Sequence, residues 1–292
     1  MAPDFWPGRV AAGRAIDRNE EGVWYRGRRK GPSFHRPIGP TLMGIRLVKD
    51  SDPHHREPTE ASRLAEAAGM TLDAGPGGLE LRVPGERRGG GIRGEIESAL
   101  DRRLDAGHPL RRIISGLAGA GGPIVDATAG LGADAAVAAA SSGRRVLACE
   151  RHPVVAALLL DGRRRAVEAG HEAASRIDVR PGEAIEVLGD GERAAAKVVP
   201  AMVLIDPMFP PRRRSTALPP KPMQRLRALL ENPDLDVASE VEALLIAADR
   251  AGAARIVLKR PPDAATPESP LGSPTFEIST RLLRWSVWQR NP

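Results

Sequence analysis

The sequence has a single cysteine, few aromatic residues and no long apolar run. Cys149 is the only cysteine among 292 residues, so an internal disulfide is excluded and a reducing, cytoplasmic location is expected. No stretch approaches the ~18 uninterrupted apolar residues of a transmembrane helix. The first residues are too interrupted by charge and proline to form a signal peptide. His54 and His55 are adjacent and lack partners at metal-ligand spacing, so we expect no metal site.

Positive charge is concentrated near the N-terminus. Residues 1–42 hold eight Lys/Arg and four Asp/Glu, which leaves only +2 of the net +6 for the other 250 residues. That mildly basic body permits an RNA substrate without requiring one. Residues 1–42 also hold five of the nine aromatic residues but show no helical or strand period. We interpret them as a disordered or non-native extension, with an RNA-binding basic tail as the alternative.

A small α+β lobe is predicted over residues 43–88. It comprises a strand at 44–48, a helix at 59–69 that ends at a glycine, and an alternating strand at 79–83. Residues 89–122 then form a glycine-rich connector with one helix at 95–103.

From residue 123 to 292 strands alternate with helices, which predicts a doubly wound, mostly parallel α/β sheet. Two alternating runs at the end are separated by only two residues, which favours an antiparallel hairpin at the sheet edge. Predicted strands cover 124–125, 145–148, 176–179, 198–205 and 255–258, predicted helices 133–142, 153–169, 183–188, 222–231 and 237–251, and the hairpin 275–279 and 282–288.

The turn after the first of these strands predicts a ligand site. Gly130 and Gly132 permit close backbone approach to a ligand, and ligands of doubly wound sheets bind beyond the carboxyl ends of the strands. Asp126 precedes the turn and Asp134 follows it, while Glu150 ends the next strand. An acid at the position of Glu150 can accept hydrogen bonds from both ribose hydroxyls of a nucleoside.

The same turn also fits the GxGxxA pattern of nicotinamide dinucleotide sites. Asp126 and Asp134 speak against that alternative, because both place negative charge where a pyrophosphate would bind. A cationic cofactor without phosphate, such as S-adenosylmethionine, tolerates both acids. We therefore favour the cationic cofactor and keep the dinucleotide as the rival.

Asp206, Pro207 and Phe209 close the strand predicted to lie beside the first one. Exocyclic amines of nucleobases are poor nucleophiles because the nitrogen lone pair is delocalised into the ring. A carboxylate and the carbonyl before a proline can both accept from such an amine, and an aromatic ring can stack on the base. We predict that these residues position a base amine for methyl transfer.

Basic residues beyond this loop are candidates for phosphate contact. They are the run Arg212, Arg213 and Arg214 and the pair Lys259 and Arg260 that ends a strand. A solvated charge run is the alternative for each.

Five segments resemble the bacterial small-subunit ribosomal RNA guanine-N2 methyltransferase family: residues 90–95, 125–134, 150–159, 206–210 and 257–261. The resemblance runs from about residue 43 to the C-terminus. It implies a class I methyltransferase fold with a seven-stranded, Rossmann-like sheet, S-adenosylmethionine as cofactor, and methylation of a guanine N2 in 16S rRNA or the assembled 30S subunit. Methylation of another base amine, such as adenine N6, is the alternative.

The same resemblance implies specific contacts. Arg93, in the first segment, is assigned to the RNA. The chain departs from the family at Ala133, where the family has arginine, and at Glu183-Ala184, where it has a serine pair. Cofactor contacts are implied for Ala133, Asp134, Glu150, Arg151, Glu183, Ala184 and Asp206.

Overall fold

The computed structural model describes residues 59–102, 107–117, 119–189, 198–209, 221–230, 236–264, 269 and 271–290. All of them belong to the unit Leu42–Pro292. The predicted extension 1–42, the predicted strand 44–48, the histidine pair and the arginine run 212–214 lie outside the described residues.

The described chain contains helices and strands in the following order: α1 (Glu60–Ala67), β1 (Thr71–Gly75), β2 (Gly78–Arg82), α2 (Ile96–Asp101), α3 (Pro109–Ser115), β3 (Ile124–Asp126), α4 (Ala133–Ser142), β4 (Val146–Glu150), α5 (Pro153–Glu168), α6 (Glu172–Ser175), β5 (Ile177–Pro181), α7 (Ala184–Leu188), β6 (Met202–Ile205), α8 (Lys221–Leu230), α9 (Val237–Arg250), β7 (Arg255–Arg260), β8 (Phe276–Ser279) and β9 (Arg284–Gln289).

Seven strands form one sheet in the order β5-β4-β3-β6-β7-β9-β8. The first five are parallel to one another, while β9 pairs antiparallel with both β7 and β8. The predicted doubly wound sheet with a C-terminal hairpin is therefore confirmed. Its order reverses between β3 and β6, the point at which open α/β sheets bind ligands.

The central strands are buried on both faces, as parallel strands usually are. Alternate residues of β3 enter different cores. Ile124 packs with α4 and its neighbours, while Val125 packs with residues of α9. This two-sided burial explains why each strand reads as a short continuous apolar run.

The N-terminal helix and hairpin share a core with α5. Ala61, Ala65 and Leu81 pack with Val155 and Leu158. The boundary predicted at residue 88 thus marks a change in the sequence pattern. In the structure, the described residues before and after it pack into one shared core.

Three elements were not predicted from the sequence: β1, α3 and α6. β1 pairs with β2 in register from Thr71↔Arg82 to Gly75↔Gly78. Pro76 and Gly77 form the two-residue turn between them.

Candidate functional site

Three carboxylates lie at one edge of the sheet. Asp126 ends β3 and Glu150 ends β4, while Asp206 directly follows β6. These strands are parallel neighbours, with Asp126 opposite Ala148 on one side and Leu204 on the other. Their carboxyl ends therefore meet, and the acids that sequence analysis grouped together are brought to one place.

The glycine turn after β3 lies against the end of β4. Gly130 has φ +53° and Gly132 has φ +91°, so both adopt the left-handed backbone that glycine favours. A Cβ on Gly132 would lie 2.5 Å from Leu159 Cδ1, whereas a Cβ on Gly130 would meet nothing closer than Thr128 O at 4.0 Å. Gly132 thus permits close packing, and open space lies beside Gly130.

Glu150 is held by two backbone donors. Gly130 N donates to Oε2 at 3.0 Å and His152 N donates to Oε1 at 2.8 Å. Burial raises the pKa of Glu150 and these two hydrogen bonds lower it, with a net rise. Each oxygen keeps a second lone pair, so the carboxylate can still accept from a pair of ligand hydroxyls.

Asp126 is a buried acid with an unmet acceptor. Its side chain accepts from Thr128 N at 3.4 Å through Oδ1, while Oδ2 is buried and has no hydrogen-bond partner among the described residues. Burial raises the pKa of Asp126 well above its ordinary value, and the charge of Asp134 raises it further. A cation placed beside Oδ2 would offset both effects. The carboxylate oxygens of Asp126 and Glu150 therefore fit a ligand that combines ribose hydroxyls with positive charge.

Asp206 begins the loop after β6. Its backbone N–H donates to Thr128 Oγ1 at 2.7 Å, which ties this loop to the turn after β3. Phe209 N donates to Pro207 O at 2.9 Å and tightens the loop. The side chain of Asp206 is 37% exposed, so it is accessible to a second ligand beside the first.

Lys259 corrects an interpretation made from the sequence. Its Nζ lies 2.5 Å from Asp134 Oδ2 and 2.5 Å from Asp206 Oδ2, and the residue is only 7% exposed. Arg260 is also interior, with Nε donating to Ser286 Oγ at 3.1 Å and Nη2 to Glu277 Oε1 at 2.8 Å. Both charges are engaged inside the protein, so we assign neither residue to RNA phosphates.

Arg93 is likewise engaged within the protein. Its Nη2 donates to Glu80 Oε2 at 2.9 Å, and the same carboxylate accepts from Gly89 N at 2.8 Å and from Gly91 N at 3.3 Å. Glu80 itself is fully buried. Arg93 therefore anchors the glycine segment on β2, but its side chain is still 26% exposed. Its implied RNA contact stays a prediction.

The remaining implied cofactor residues follow the ends of β3, β4 and β5 along the chain. Gly182 N donates to Glu150 O at 2.9 Å, so Glu183 comes close behind the β4 end. Arg151 pairs with Glu240, through Nη2 at 3.1 Å, and lies 3.7 Å from Glu183. Ala184 is buried at the start of α7 and Ala133 begins α4.

Sequence reasoning missed Thr128 and Trp285 in this region. Thr128 joins the two loops, and its position inside the segment Asp126-Ala127-Thr128 was an available signal. Trp285 lies opposite Lys259 on β9, with the Lys259 ammonium 4.9 Å from its ring centroid. Only the strand pairing reveals that contact.

Candidate metal-binding groups and helices able to span a membrane are both absent from the described residues. In the part of the chain that the structure describes, no group of three or more His, Cys, Asp or Glu residues is placed to hold a metal ion. None of its helices is long and apolar enough to cross a membrane.

The sequence of this chain is similar to those of known methyltransferases. A family model described as "Putative SAM-dependent methyltransferase" matches residues 62–290. The ribosomal RNA small subunit methyltransferase J of Alkalilimnicola ehrlichii is 35% identical over 274 residues, which cover 87% of this chain and 96% of that protein. The protein of the same name from Aeromonas hydrophila is 38% identical over 219 residues, or 72% of this chain and 82% of that protein.

A solved structure shows the same likeness. The crystal structure of a SAM-dependent methyltransferase from Neisseria gonorrhoeae superposes with a TM-score of 0.56 at 28% identity, covering 79% of this chain and 92% of that one. The chain belongs to this family of S-adenosylmethionine-dependent methyltransferases, which includes the ribosomal RNA small subunit methyltransferases J, and S-adenosylmethionine is its cofactor.

Proposed function

We propose that this protein transfers a methyl group from S-adenosylmethionine to the exocyclic N2 amine of a guanine in 16S rRNA. The observation that carries the proposal is the meeting of Asp126, Glu150 and Asp206 at one sheet edge, with the loop 206–209 beside the glycine turn. Bound S-adenosylmethionine supplies an electrophilic methyl group on a sulfonium. The residues of this chain supply binding, orientation and charge.

The cofactor half of the site is built from β3 and β4. Glu150 would hold the ribose hydroxyls, with its orientation fixed by Gly130 N and His152 N. Asp126, with its unmet Oδ2, would face the positively charged amino-acid end. Ala133, Arg151, Glu183 and Ala184 lie around this half, and we propose that Ala133 and Ala184 contribute through backbone groups.

The acceptor half is the loop after β6. Asp206 Oδ2 is engaged by Lys259, while Oδ1 has no protein hydrogen bond among the described residues. Oδ1 is therefore available to accept an N–H of the base amine and direct the nitrogen lone pair toward the cofactor. The carbonyl of Asp206, which precedes Pro207, would accept the second N–H, and Phe209 would stack on the base.

Relatives support an RNA substrate. The similar proteins from Alkalilimnicola and Aeromonas are named as small-subunit ribosomal RNA methyltransferases, and we extend that substrate class to this chain. We propose 16S rRNA, either free or within 30S subunits, as the partner, and the cytoplasm as the place of reaction. With Lys259 and Arg260 buried and engaged internally, Arg93 and the run Arg212–Arg214 remain the proposed phosphate contacts.

Two alternatives were raised by the sequence. Methylation of adenine N6 uses the same amine chemistry, because both bases present a planar exocyclic nitrogen to an Asp-Pro loop. The identity of the methylated nucleoside separates them. A nicotinamide-dependent oxidoreductase, suggested by the GxGxxA pattern, is set aside because the chain belongs to a methyltransferase family.

The test is transfer of tritiated methyl groups to 30S subunits from a strain that lacks the endogenous activity, followed by mass spectrometry of the nucleosides. We expect N2-methylguanosine as the labelled product. Asp206→Asn should reduce the rate by about a hundredfold or more, because the amide cannot replace the anionic acceptor.

The matched control is Asp249→Asn, at the opposite end of the sheet, where Asp249 pairs with Arg290. It should retain the wild-type rate. Labelled N6-methyladenosine would favour the alternative base, and the absence of label from wild-type reactions would refute the proposed activity.

A further inference from the structure

Lys259 places a buried ammonium between two acids that belong to different segments of the chain. Asp134 lies in the first turn of α4, immediately after the glycine turn, and Asp206 begins the loop after β6. Both carboxylates lie 2.5 Å from Nζ, although they are 125 and 53 residues away from Lys259 along the chain. A single side chain therefore connects the cofactor half of the site to the acceptor half.

The sheet fixes where this ammonium can lie. On one side of β7, Leu258 is in register with Ile205, so Lys259 stands level with Asp206 just past the end of β6. On the other side Lys259 is opposite Trp285, whose ring centroid is 4.9 Å from Nζ. Because the tryptophan is itself buried, the lysine is confined between a rigid aromatic surface and two acids.

Charge explains why a cation is needed there. The acids that face Asp206 or its lysine are Asp126 from β3 and Asp134 from α4, and Glu95, ahead of α2, faces Asp134. Burial raises the pKa of Asp206 and the charge of Lys259 lowers it, with a net rise. Without Lys259 the three aspartates would face one another, and no other cation from the described residues lies among them.

The contact also selects which oxygen of Asp206 is free. Lys259 engages Oδ2, which holds the carboxylate in one orientation and leaves Oδ1 without a hydrogen bond from the described residues. Orienting an acceptor within a fraction of an ångström is a large part of what catalytic sites contribute to rate.

We propose that Lys259 is a positioning residue for methyl transfer. It holds Asp206 as an oriented anion and sets its distance from the cofactor turn through Asp134. This inference rests on the proposed function, since it assumes that Asp206 receives the acceptor amine.

The test compares Lys259→Gln, which keeps a hydrogen-bond donor without the charge, with Lys259→Arg, which keeps the charge. Methyl transfer to 30S subunits is measured as kcat and KM across a range of pH. For Lys259→Gln we expect kcat to fall about tenfold or more while the KM for S-adenosylmethionine changes much less. Loss of the positive charge makes Asp206 harder to ionise, so the acid limb of the pH–rate profile should move to higher pH. Lys259→Arg should keep the limb at its wild-type position but lower kcat, because its longer side chain displaces Asp206.

Arg290→Gln is the control, because Arg290 follows β9 and lies at the opposite end of β7. It should match the wild type throughout. An unmoved acid limb in Lys259→Gln, or a fall in kcat matched by an equal loss of cofactor affinity, would overturn the positioning role.

If Lys259→Gln does not fold, as judged by thermal unfolding, Lys259→Arg decides alone. A reduced kcat with unchanged KM for the cofactor and an unmoved limb supports the inference, since the longer side chain displaces Asp206. Wild-type kcat overturns it. Failure of the wild type to methylate 30S subunits would instead refute the proposed function itself.

Discussion

The backbone N–H of Gly130 donates a hydrogen bond of 3.0 Å to Oε2 of Glu150. This contact joins the turn after β3 to the end of β4, so the two parts of the cofactor half form one unit. A second donor, His152 N, occupies the other oxygen at 2.8 Å. Glu150, the proposed ribose-binding acid, is thereby oriented by the protein backbone.

Glu150→Gln should disrupt this unit. An amide can accept from only one of the two backbone donors, and its own N–H group then faces the other. We expect a loss of about 1–3 kcal/mol in stability and about a tenfold weaker affinity for S-adenosylhomocysteine. Urea unfolding and calorimetric titration measure the two effects. Glu172→Gln is the control, because the Glu172 side chain at the start of α6 is exposed, and it should change neither quantity. Equal losses in both variants would contradict the role of Glu150.

Asp126 should make stability depend on pH. Burial, with the charge of Asp134, raises the pKa of Asp126 in the folded chain, whereas in the unfolded chain its pKa is near 3.9. The folded state thus binds this proton more tightly, and the free energy of unfolding falls as pH rises between the two pKa values. Asp126→Asn removes that cost.

We therefore expect Asp126→Asn to raise the thermal midpoint at neutral and alkaline pH while weakening the binding of S-adenosylmethionine. Thermal unfolding across pH and calorimetry measure the two changes. The half-exposed Asp178, changed to asparagine, should give no such gain in stability. Tighter cofactor binding by Asp126→Asn would show that the carboxylate does not face the cationic end.

Gly94 is predicted to be sensitive because two backbones meet there. A Cβ on Gly94 would lie 2.2 Å from Leu158 O and 2.9 Å from Gly162 Cα. Gly94→Ala should push the segment ahead of α2 away from α5 and reduce the free energy of unfolding by about 1–3 kcal/mol. Gly121→Ala, where nothing lies within 4 Å, should stay within about 0.5 kcal/mol. Urea denaturation compares the two, and similar costs would refute the close approach.

The strand-end acids could be predicted because their signals are local. Each apolar run ends at its acid, and parallel strands bring their carboxyl ends to one edge by geometry alone. Asp126, Glu150 and Asp206 therefore needed only the alternation of strands and helices. The N-terminal extension 1–42 and its RNA-binding alternative stay predictions, since those residues lie outside the described part of the chain.

The role of Lys259 could not be read locally. A lysine at a strand end looks like an exposed charge, and its two partners are distant in sequence. Strand order is the missing information, because β7 lies beside β6 only in the folded sheet. The burial of Glu80 could not be read locally either, because the segment with Gly89 and Gly91 folds over it and donates to its carboxylate.

We propose that one pocket holds the cofactor against Asp126 and Glu150 and presents Asp206 to the acceptor. A crystal structure of the protein soaked with S-adenosylhomocysteine tests this arrangement. We predict ribose hydroxyls within hydrogen-bonding distance of Glu150, the amino-acid ammonium beside Asp126, and the sulfur facing the loop that begins at Asp206. A ligand bound with its ribose away from Glu150, or with its sulfur turned from Asp206, would contradict the account.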